Sequence, residues 1–593
     1  MSTTLFKNVP SKVGDLVHDV LTGRIGLPDL QRPFVWKDNK VRELFDSMLK
    51  GYPIGYIMLW ESPANYDSRK SGIGDNEKTY SDPKELVIDG QQRLTALVSA
   101  MYGIKIKDKN FKSRDIKISY NPLTKDFAVW TQAFERDPEW ISQISDVFLA
   151  KENNSIISLR KQFIKDVNES RSKKELPLLT DDEEELIELN LNELLDLTSY
   201  SLPTLEINYN ADEQDVADIF VRVNSGGQKL TENNFIQTLI SVYENETSDK
   251  IDKFSEESRI PADNTSYNHI LAVDPSHLIR MAVGVGFRRA RLRYAYMLLR
   301  GKNLETGEFS AEERQQNLDK FKTALDQVMN LNNWHAFINI IGEAGYISDK
   351  LIASSNAVVF SYVLYLIAKY DYKLDAMALK KTISKWFFMS TITYFYTGST
   401  ESEVERQFAD LRNVHNADEF VSYIDSVIET RFTDDYFNYT LPNDLNSASA
   451  ISPSWYGYVA SQIVLNTTML FSNTPVAKYF LVGSSGTKNA IDKHHIFPKQ
   501  YLTDIGISTD RERNQIANFT YLDYTSNIDI SDNAPSKYVA DYRQKLGEDG
   551  YKKACDDHAL PENFENMEYE MFLEERRFLM AKIVKKAYLE LCK

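Results

Sequence analysis

Hydrophobic positions recur at helical spacing along most of the chain, interrupted by a few short apolar runs that read as strands. Val41, Leu44, Phe45 and Met48 stand at i, i+3, i+4 and i+7 after Asp38, and Gly51 closes the pattern. This predicts a helix with Asp38 as its N-cap. Glu85-Leu86-Val87-Ile88 predicts a short buried strand and Asp89-Gly90 a turn. Gln91 then opens a helix whose Leu94, Leu97, Val98 and Met101 share one face. A further helix carries Val216, Ile219, Phe220 and Val223 and runs into Asn224-Ser225-Gly226-Gly227, with Thr231 placed to cap the next one. From about 250 to 445 the pattern is helical, with Ala357, Val358, Phe360, Val363, Leu364 and Trp386-Phe387-Phe388 as core. Asp181 to Glu185 reads as a solvated helix face, Ser447 to Ser454 as a linker, and Ile516 to Leu522 as a strand-like run with Asn518 inside it.

Composition narrows the classes. The 593 residues exceed one core, and 42% apolar and 12% aromatic content suffices for several packed domains. The expected division is 1–245, 246–445 and 446–593. Two cysteines, Cys555 and Cys592, exclude a disulfide framework and a cysteine-based zinc cluster. No secretory leader or bilayer-length apolar run is apparent, so a soluble cytoplasmic protein without membrane contact is expected. A net charge of −17 excludes a protein that coats nucleic acid indiscriminately, and confines any DNA contact to a local basic surface. From Val285 to Lys302 there are six basic and no acidic residues. Arg288, Arg289, Arg291 and Arg293 there suit a DNA backbone, or equally this protein's surplus carboxylates.

Four stretches carry chemistry. Gln31 and Arg32 lie on the approach to the first predicted helix. Strand, glycine turn and helix start at Asp89-Gly90-Gln91-Gln92-Arg93 make an anion pocket in which Asp89 could bind a metal or a sugar hydroxyl and Arg93 a phosphate; a plain tight turn is the alternative. The chain has no GxxxxGK[ST] loop. The two glycines after Asn224 permit close backbone approach to a ligand, whereas a helix C-cap needs only one. Near the C-terminus, His494 and His495 are two of only eight histidines. They sit in Asp492-Lys493-His494-His495-Ile496-Phe497-Pro498-Lys499, followed by Asn518 and Asn527. A neutral imidazole can take a proton from water, and a neighbouring imidazole with an amide can hold a divalent ion against a phosphate.

This C-terminal layout resembles an HNH (ββα-metal) nuclease. With Gln31-Arg32-Pro33-Phe34-Val35-Trp36, Ile88-Asp89-Gly90-Gln91-Gln92-Arg93 and Phe220 to Gly227, nearly the whole chain resembles the GmrSD family of modification-dependent (type IV) restriction enzymes in fused, single-chain form. The resemblance implies an α+β multidomain protein: a ParB/sulfiredoxin-like N-terminal domain that binds and hydrolyses a nucleoside triphosphate, a mostly helical middle, and a C-terminal HNH domain within helices. It implies that Asp89, Gly90, Gln91, Gln92 and Arg93 line the nucleotide site, supported by Gln31, Arg32 and Asn224. In the nuclease part, His495 would be the general base, with the roles of His494 and His495 open to reversal. His494 and Asn527 would ligate Mg²⁺ or Mn²⁺, with Asp529 as a rival to Asn527, and Asn518 would hold the His495 ring. Lys493 and Lys499, and also Arg511 and Arg513, would contact phosphates. The implied activity is NTP-regulated cleavage of double-stranded phage DNA bearing modified bases such as glycosylated hydroxymethylcytosine, and a homodimer would suit double-strand cutting. Two alternatives stand beside it: a phosphorothioate-sensing NTPase or nickase, and a nucleotide-switched sensor with weak nuclease activity.

Overall fold

The computed structural model describes residues 5–26, 34–61, 84–108, 112–211, 213–224, 236, 240, 244–303, 306–308, 310–480, 491–523, 530 and 532–593. The chain is mixed α/β and mainly helical, and it divides into two compact units, Met1–Glu256 and Glu257–Lys593.

The first unit is built on a five-stranded mixed sheet. Its strands are β1 (Phe6–Lys12), β2 (Ile25–Gly26), β3 (Ile57–Glu61), β4 (Glu85–Asp89) and β5 (Ser201–Ile207), in the order β1-β5-β3-β4-β2. β3 is central: it runs parallel to β5 and antiparallel to β4, with a register shift between Met58 and Leu59. Its side chains alternate between faces. Ile57 and Leu59 join the core formed with α1 (Val13–Leu21), α2 (Asp38–Leu49) and α3 (Gln91–Tyr102). Met58 and Trp60 join Val216 and Phe220 of α4 (Glu213–Asn224). Helices therefore cover both faces, which is why Ile57 to Trp60 is continuously apolar and buried.

The helix expected after Asp38 forms, and Val41, Leu44, Phe45 and Met48 are its buried positions. Asp38 is its first helical residue and makes no cap; its carboxylate takes Arg114 Nη1 at 2.6 Å. The acidic start of the helix Asp181–Asp196 is solvated as expected, closed by a Thr180/Glu183 capping box.

In the second unit, α5 (Pro275–Phe287), α6 (Ser355–Tyr370) and α7 (Ala376–Ile392) lead the helical part, and α6 and α7 are buried on nearly every side. Trp386, Phe387 and Phe388 are fully enclosed, so these aromatics pack. The boundary expected at 446 falls inside this unit. Gly457 of α9 (Pro453–Val464), a helix that follows α8 (Thr400–Leu411), lies so close to α7 that a Cβ there would stand 2.3 Å from Ile392 Cγ1. Ser447 to Ser454 is not a free linker: the Ser447 carbonyl accepts from Ile516 N–H at 2.8 Å, Ser452 caps α9, and Ser454 is buried.

Beyond α9, β6 (Ile491–His495) and β7 (Phe519–Asp523) form a two-stranded antiparallel ribbon. Two long helices, α10 (Pro535–Asp557), broken at Gly547, and α11 (Tyr569–Leu591), follow it. No helix among the described residues is long and apolar enough to cross a membrane.

Candidate functional site

At the Asp89-Gly90 turn, β4 passes into α3 through Gly90, whose φ of +92° suits glycine and whose Cβ, if present, would lie 2.4 Å from Ile57 Cδ1. Three of the four polar side chains around the turn are tied back to the protein. Asp89 Oδ1 accepts from Gly90 N–H at 2.8 Å. Gln92 Oε1 accepts from Val35 N–H at 2.9 Å, fixing the Phe34-Val35-Trp36 segment over the start of α3. Arg93 Nη1 donates to the Tyr56 carbonyl at 2.6 Å. Gly55 makes room for that guanidinium, since a Cβ there would stand 2.6 Å from Nη2. Burial lowers the Arg93 pKa, opposed by the nearby Asp89 and Tyr56. The Tyr56 hydroxyl is raised by burial and by Asp89, which also accepts its proton in a hydrogen bond.

This cradle joins a half-buried cation to a helix start whose first N–H groups have no intrahelical partner, an arrangement that attracts anions. Gln91 stands at the first helical position and Asn224 ends α4. Gln31 and Arg32 lie outside the described residues. Tyr56 and Gly55 were not singled out by the sequence, because nothing in Pro53-Ile54-Gly55-Tyr56 marks a partner 37 positions away.

Of the two uses open to the basic stretch after α5, Arg288 and Arg289 take the one within the protein, pairing with its carboxylates. Arg288, in the left-handed conformation at the end of α5, donates to the Gly284 and Val285 carbonyls and pairs with Asp371; burial pushes it down to about 10. Glu405, on α8, takes Arg289 Nη1 at 2.7 Å and the Ala290 N–H at 2.8 Å. Burial alone would raise Glu405, but these donors hold it below the usual carboxylate range. Arg291 is exposed and donates to Ser402 Oγ at 3.1 Å, and Arg293 is exposed with no ion pair among the described residues.

In the C-terminal ribbon, His494 stands opposite Thr520 and His495 opposite Phe519. Consecutive residues of a strand point to opposite faces, so the two imidazoles have different surroundings. The His495 ring meets the Phe519 ring edge-on at 4.9 Å, and its Nε2 lies 3.0 Å from Asn514 Oδ1. Asn518 does not hold the His495 ring, as was expected of it. It is fully buried in the turn before β7, where its Oδ1 accepts from Phe497 N–H at 2.8 Å and its Nδ2 donates to the Phe497 carbonyl at 3.0 Å. The same Nδ2 donates to the Arg513 carbonyl at 3.2 Å, and the Asn518 N–H to the Gln515 carbonyl at 2.8 Å. One side chain thus staples the exit of β6 to the turn that carries Asn514.

The ribbon is braced from below by groups the sequence did not reveal. His558 Nε2 meets the Thr468 carbonyl at 2.8 Å and its Nδ1 meets Thr520 Oγ1 at 3.0 Å; burial drops its pKa to about 4. Arg576, on α11 and fully buried, donates to the Ala517 carbonyl at 2.6 Å and to the His558 carbonyl at 3.2 Å. Tyr538 of α10 donates to the Ile496 carbonyl at 2.7 Å.

Lys493 lies on β6 opposite Tyr521; Lys499 and Arg511 are exposed without ion pairs among the described residues; Arg513 is tied to Asp510 and Thr503. Asn527 and Asp529 lie outside the described residues, among which no group of three or more His, Cys, Asp or Glu could hold a metal. Among the described residues His494 is a nitrogen donor of the kind a divalent transition ion accepts.

Residues 13–241 match the family model of the GmrSD restriction endonuclease N-terminal domain. An uncharacterized protein of Methanocaldococcus jannaschii, MJ0686, is 26% identical over 550 residues, spanning 88% of this chain and 85% of its own. The similarity to a restriction endonuclease thus falls on the unit that carries the Asp89–Arg93 cradle, and the similarity to the archaeal protein extends through both units.

Proposed function

We propose that the chain is an NTP-regulated, metal-dependent endonuclease of the GmrSD type that cleaves foreign double-stranded DNA carrying modified bases such as glycosylated hydroxymethylcytosine. The observation that carries the reading is the similarity of residues 13–241 to a restriction endonuclease domain in a chain whose other unit holds an oriented histidine on a stapled ribbon. The ribbon followed by α10 supports an HNH-type site, and the mixed sheet supports a ParB/sulfiredoxin-like nucleotide domain.

In this reading His495 is the general base. It takes a proton from water as the water oxygen bonds to phosphorus and the 3′ oxygen departs. His494, with Asn527 or Asp529, would hold Mg²⁺ or Mn²⁺, which supplies positive charge against the phosphate and the leaving oxygen. The division of roles is supported by the partner that His495 has for its ring, since such a partner sets which nitrogen stays unprotonated. Lys493, Lys499 and Arg511 would contact phosphates. In the cradle, Arg93 and the α3 start bind the triphosphate, with Asp89, Gly90, Gln91 and Gln92 shaping the pocket and Gln31, Arg32 and Asn224 supporting it. One such site cuts one strand, so a homodimer serves a double-strand break.

The test is cleavage of matched unmodified, glucosylated and phosphorothioated DNAs with Mg²⁺ or Mn²⁺, with and without NTP. Cutting confined to glucosylated DNA, and lost by about 10²–10⁴-fold in His495→Ala, supports the reading. Retained cutting in His495→Ala removes the assignment. Cutting confined to phosphorothioated DNA changes the mark, and selective binding without cutting makes the chain a sensor. The sensor reading is favoured by the internal use of Arg288 and Arg289 in an acidic protein.

A further inference from the structure

We propose that Asn514 is the positioning residue for His495: its carboxamide oxygen accepts the Nε2 hydrogen bond and thereby leaves the ring's lone pair on Nδ1. The inference rests on His495 being the base of the proposed reaction.

His495 Nε2 and Asn514 Oδ1 are 3.0 Å apart, and a carboxamide oxygen only accepts, so the ring nitrogen facing it carries the hydrogen. A neutral imidazole has one such hydrogen, and the other nitrogen is then the base. A positioning group is useful only if it is itself held, and Asn514 is held on both sides. Its own N–H donates to the Asp510 carbonyl at 3.0 Å. The carbonyl before it, Arg513, accepts from Asn518 Nδ2, and the carbonyl after it, Gln515, accepts from Asn518 N–H. Arg513 is anchored in turn through Thr503 Oγ1 at 2.7 Å and Asp510 at 3.0 Å. Asn518 also grips Phe497, two residues beyond His495. The same buried amide therefore fixes the strand that carries the ring and the turn that carries the ring's partner. Asn518 acts on His495 through Asn514.

The test uses the full chain and its cleavable DNA, comparing Asn514→Ala, Asn514→Asp and His495→Ala with wild type. Asn514→Ala is expected to lower kcat by about 10–100-fold, the usual cost of losing a group that orients an active-site histidine, with KM and melting temperature unchanged. Asn514→Asp is expected to restore most of kcat, because a carboxylate oxygen accepts the same hydrogen bond. A readout independent of cleavage is the ¹⁵N spectrum of histidine-labelled protein, with the His495 ring assigned by its loss in His495→Ala. Nε2 is expected at a protonated shift and Nδ1 at an unprotonated one in wild type, the two becoming mixed in Asn514→Ala. An inactive His495→Ala beside an Asn514→Ala with wild-type kcat overturns the positioning role and leaves the nuclease reading intact. An active His495→Ala removes His495 as the base, and with it the reading on which the inference rests. A ring protonated on Nδ1 in wild type overturns the role of Asn514 whatever the cleavage result.

Discussion

Asn518 and Phe497 exchange two hydrogen bonds, Phe497 N–H to Asn518 Oδ1 at 2.8 Å and Asn518 Nδ2 to the Phe497 carbonyl at 3.0 Å. This side-chain-to-backbone pair mimics one rung of a β-ladder and prolongs the ribbon by one step beyond His495. Because Asn518 is fully enclosed, its loss leaves a buried N–H and carbonyl without partners. Asn518→Ala is expected to destabilise the second unit by about 3 kcal/mol, counting about 1–3 kcal/mol for each orphaned group. Asn518→Asp keeps the acceptor for Phe497 and loses the donor, so its denaturation midpoint should fall between wild type and alanine. Equal midpoints for alanine and wild type would sink the staple.

His558 makes a pH prediction. Its folded pKa of about 4 lies below the ordinary 6.5 because burial penalises the charged ring, with the Arg576 guanidinium opposing protonation as well and Asp557 favouring it. The unfolded chain therefore binds more protons between these values, so the contribution to stability is full above pH 6.5 and is lost as pH falls toward 4. The difference amounts to about 3 kcal/mol. Urea melts of wild type and His558→Gln at pH 7 and pH 4.5 should show the gap between them shrinking at the lower pH; a gap that stays constant would refute the assignment.

Three glycines in the first unit separate backbone strain from lack of space. Gly51 has φ +68° and nothing within 4 Å of a Cβ, so Gly51→Ala should cost only about 1 kcal/mol. Gly90→Ala adds a collision with Ile57 and should cost more. Gly55→Ala drives the guanidinium of Arg93 away from the Tyr56 carbonyl, so its nucleotide affinity should match that of Arg93→Ala. Calorimetric titration with a non-hydrolysable triphosphate reads this directly, and wild-type affinity in Gly55→Ala would remove Arg93 from the site.

The arginines after α5 divide into two kinds. Arg289→Ala breaks the pair with Glu405 and should lower the melting temperature. Arg293→Ala should leave melting unchanged and, if DNA passes this surface, should reduce the salt slope of DNA binding by about 1. Binding isotherms at several salt concentrations distinguish the two, and an unchanged slope removes Arg293 from the DNA path.

Elements whose causes are local were legible in the sequence. α2 follows from apolar spacing and a closing glycine, α3 from apolar spacing after a glycine turn, and the cores of α6 and α7 from dense apolar and aromatic positions. The Asp89-Gly90 turn was legible because only glycine tolerates its backbone. What escaped was pairing at a distance. Arg288 and Arg289 resembled a DNA surface because Asp371 and Glu405 lie 83 and 116 positions away. Asn514 sits in the polar run Arg511-Glu512-Arg513-Asn514-Gln515, where nothing separates a ring's partner from a solvated side chain. Asn518 was given the wrong neighbour, since an apolar run does not reveal that a 3-10 turn precedes the strand. Arg576 looks like any basic residue of an amphipathic helix until its carbonyl partners are known.

Phe497 packs on Phe572 with ring centroids 4.6 Å apart, and the Ala517 carbonyl is gripped by Arg576. Both partners belong to α11, some fifty to eighty residues downstream of the ribbon. During translation β6 and β7 leave the ribosome well before the helix that seats them. A growing chain therefore lacks the Phe572 and Arg576 contacts to the ribbon until synthesis reaches α11.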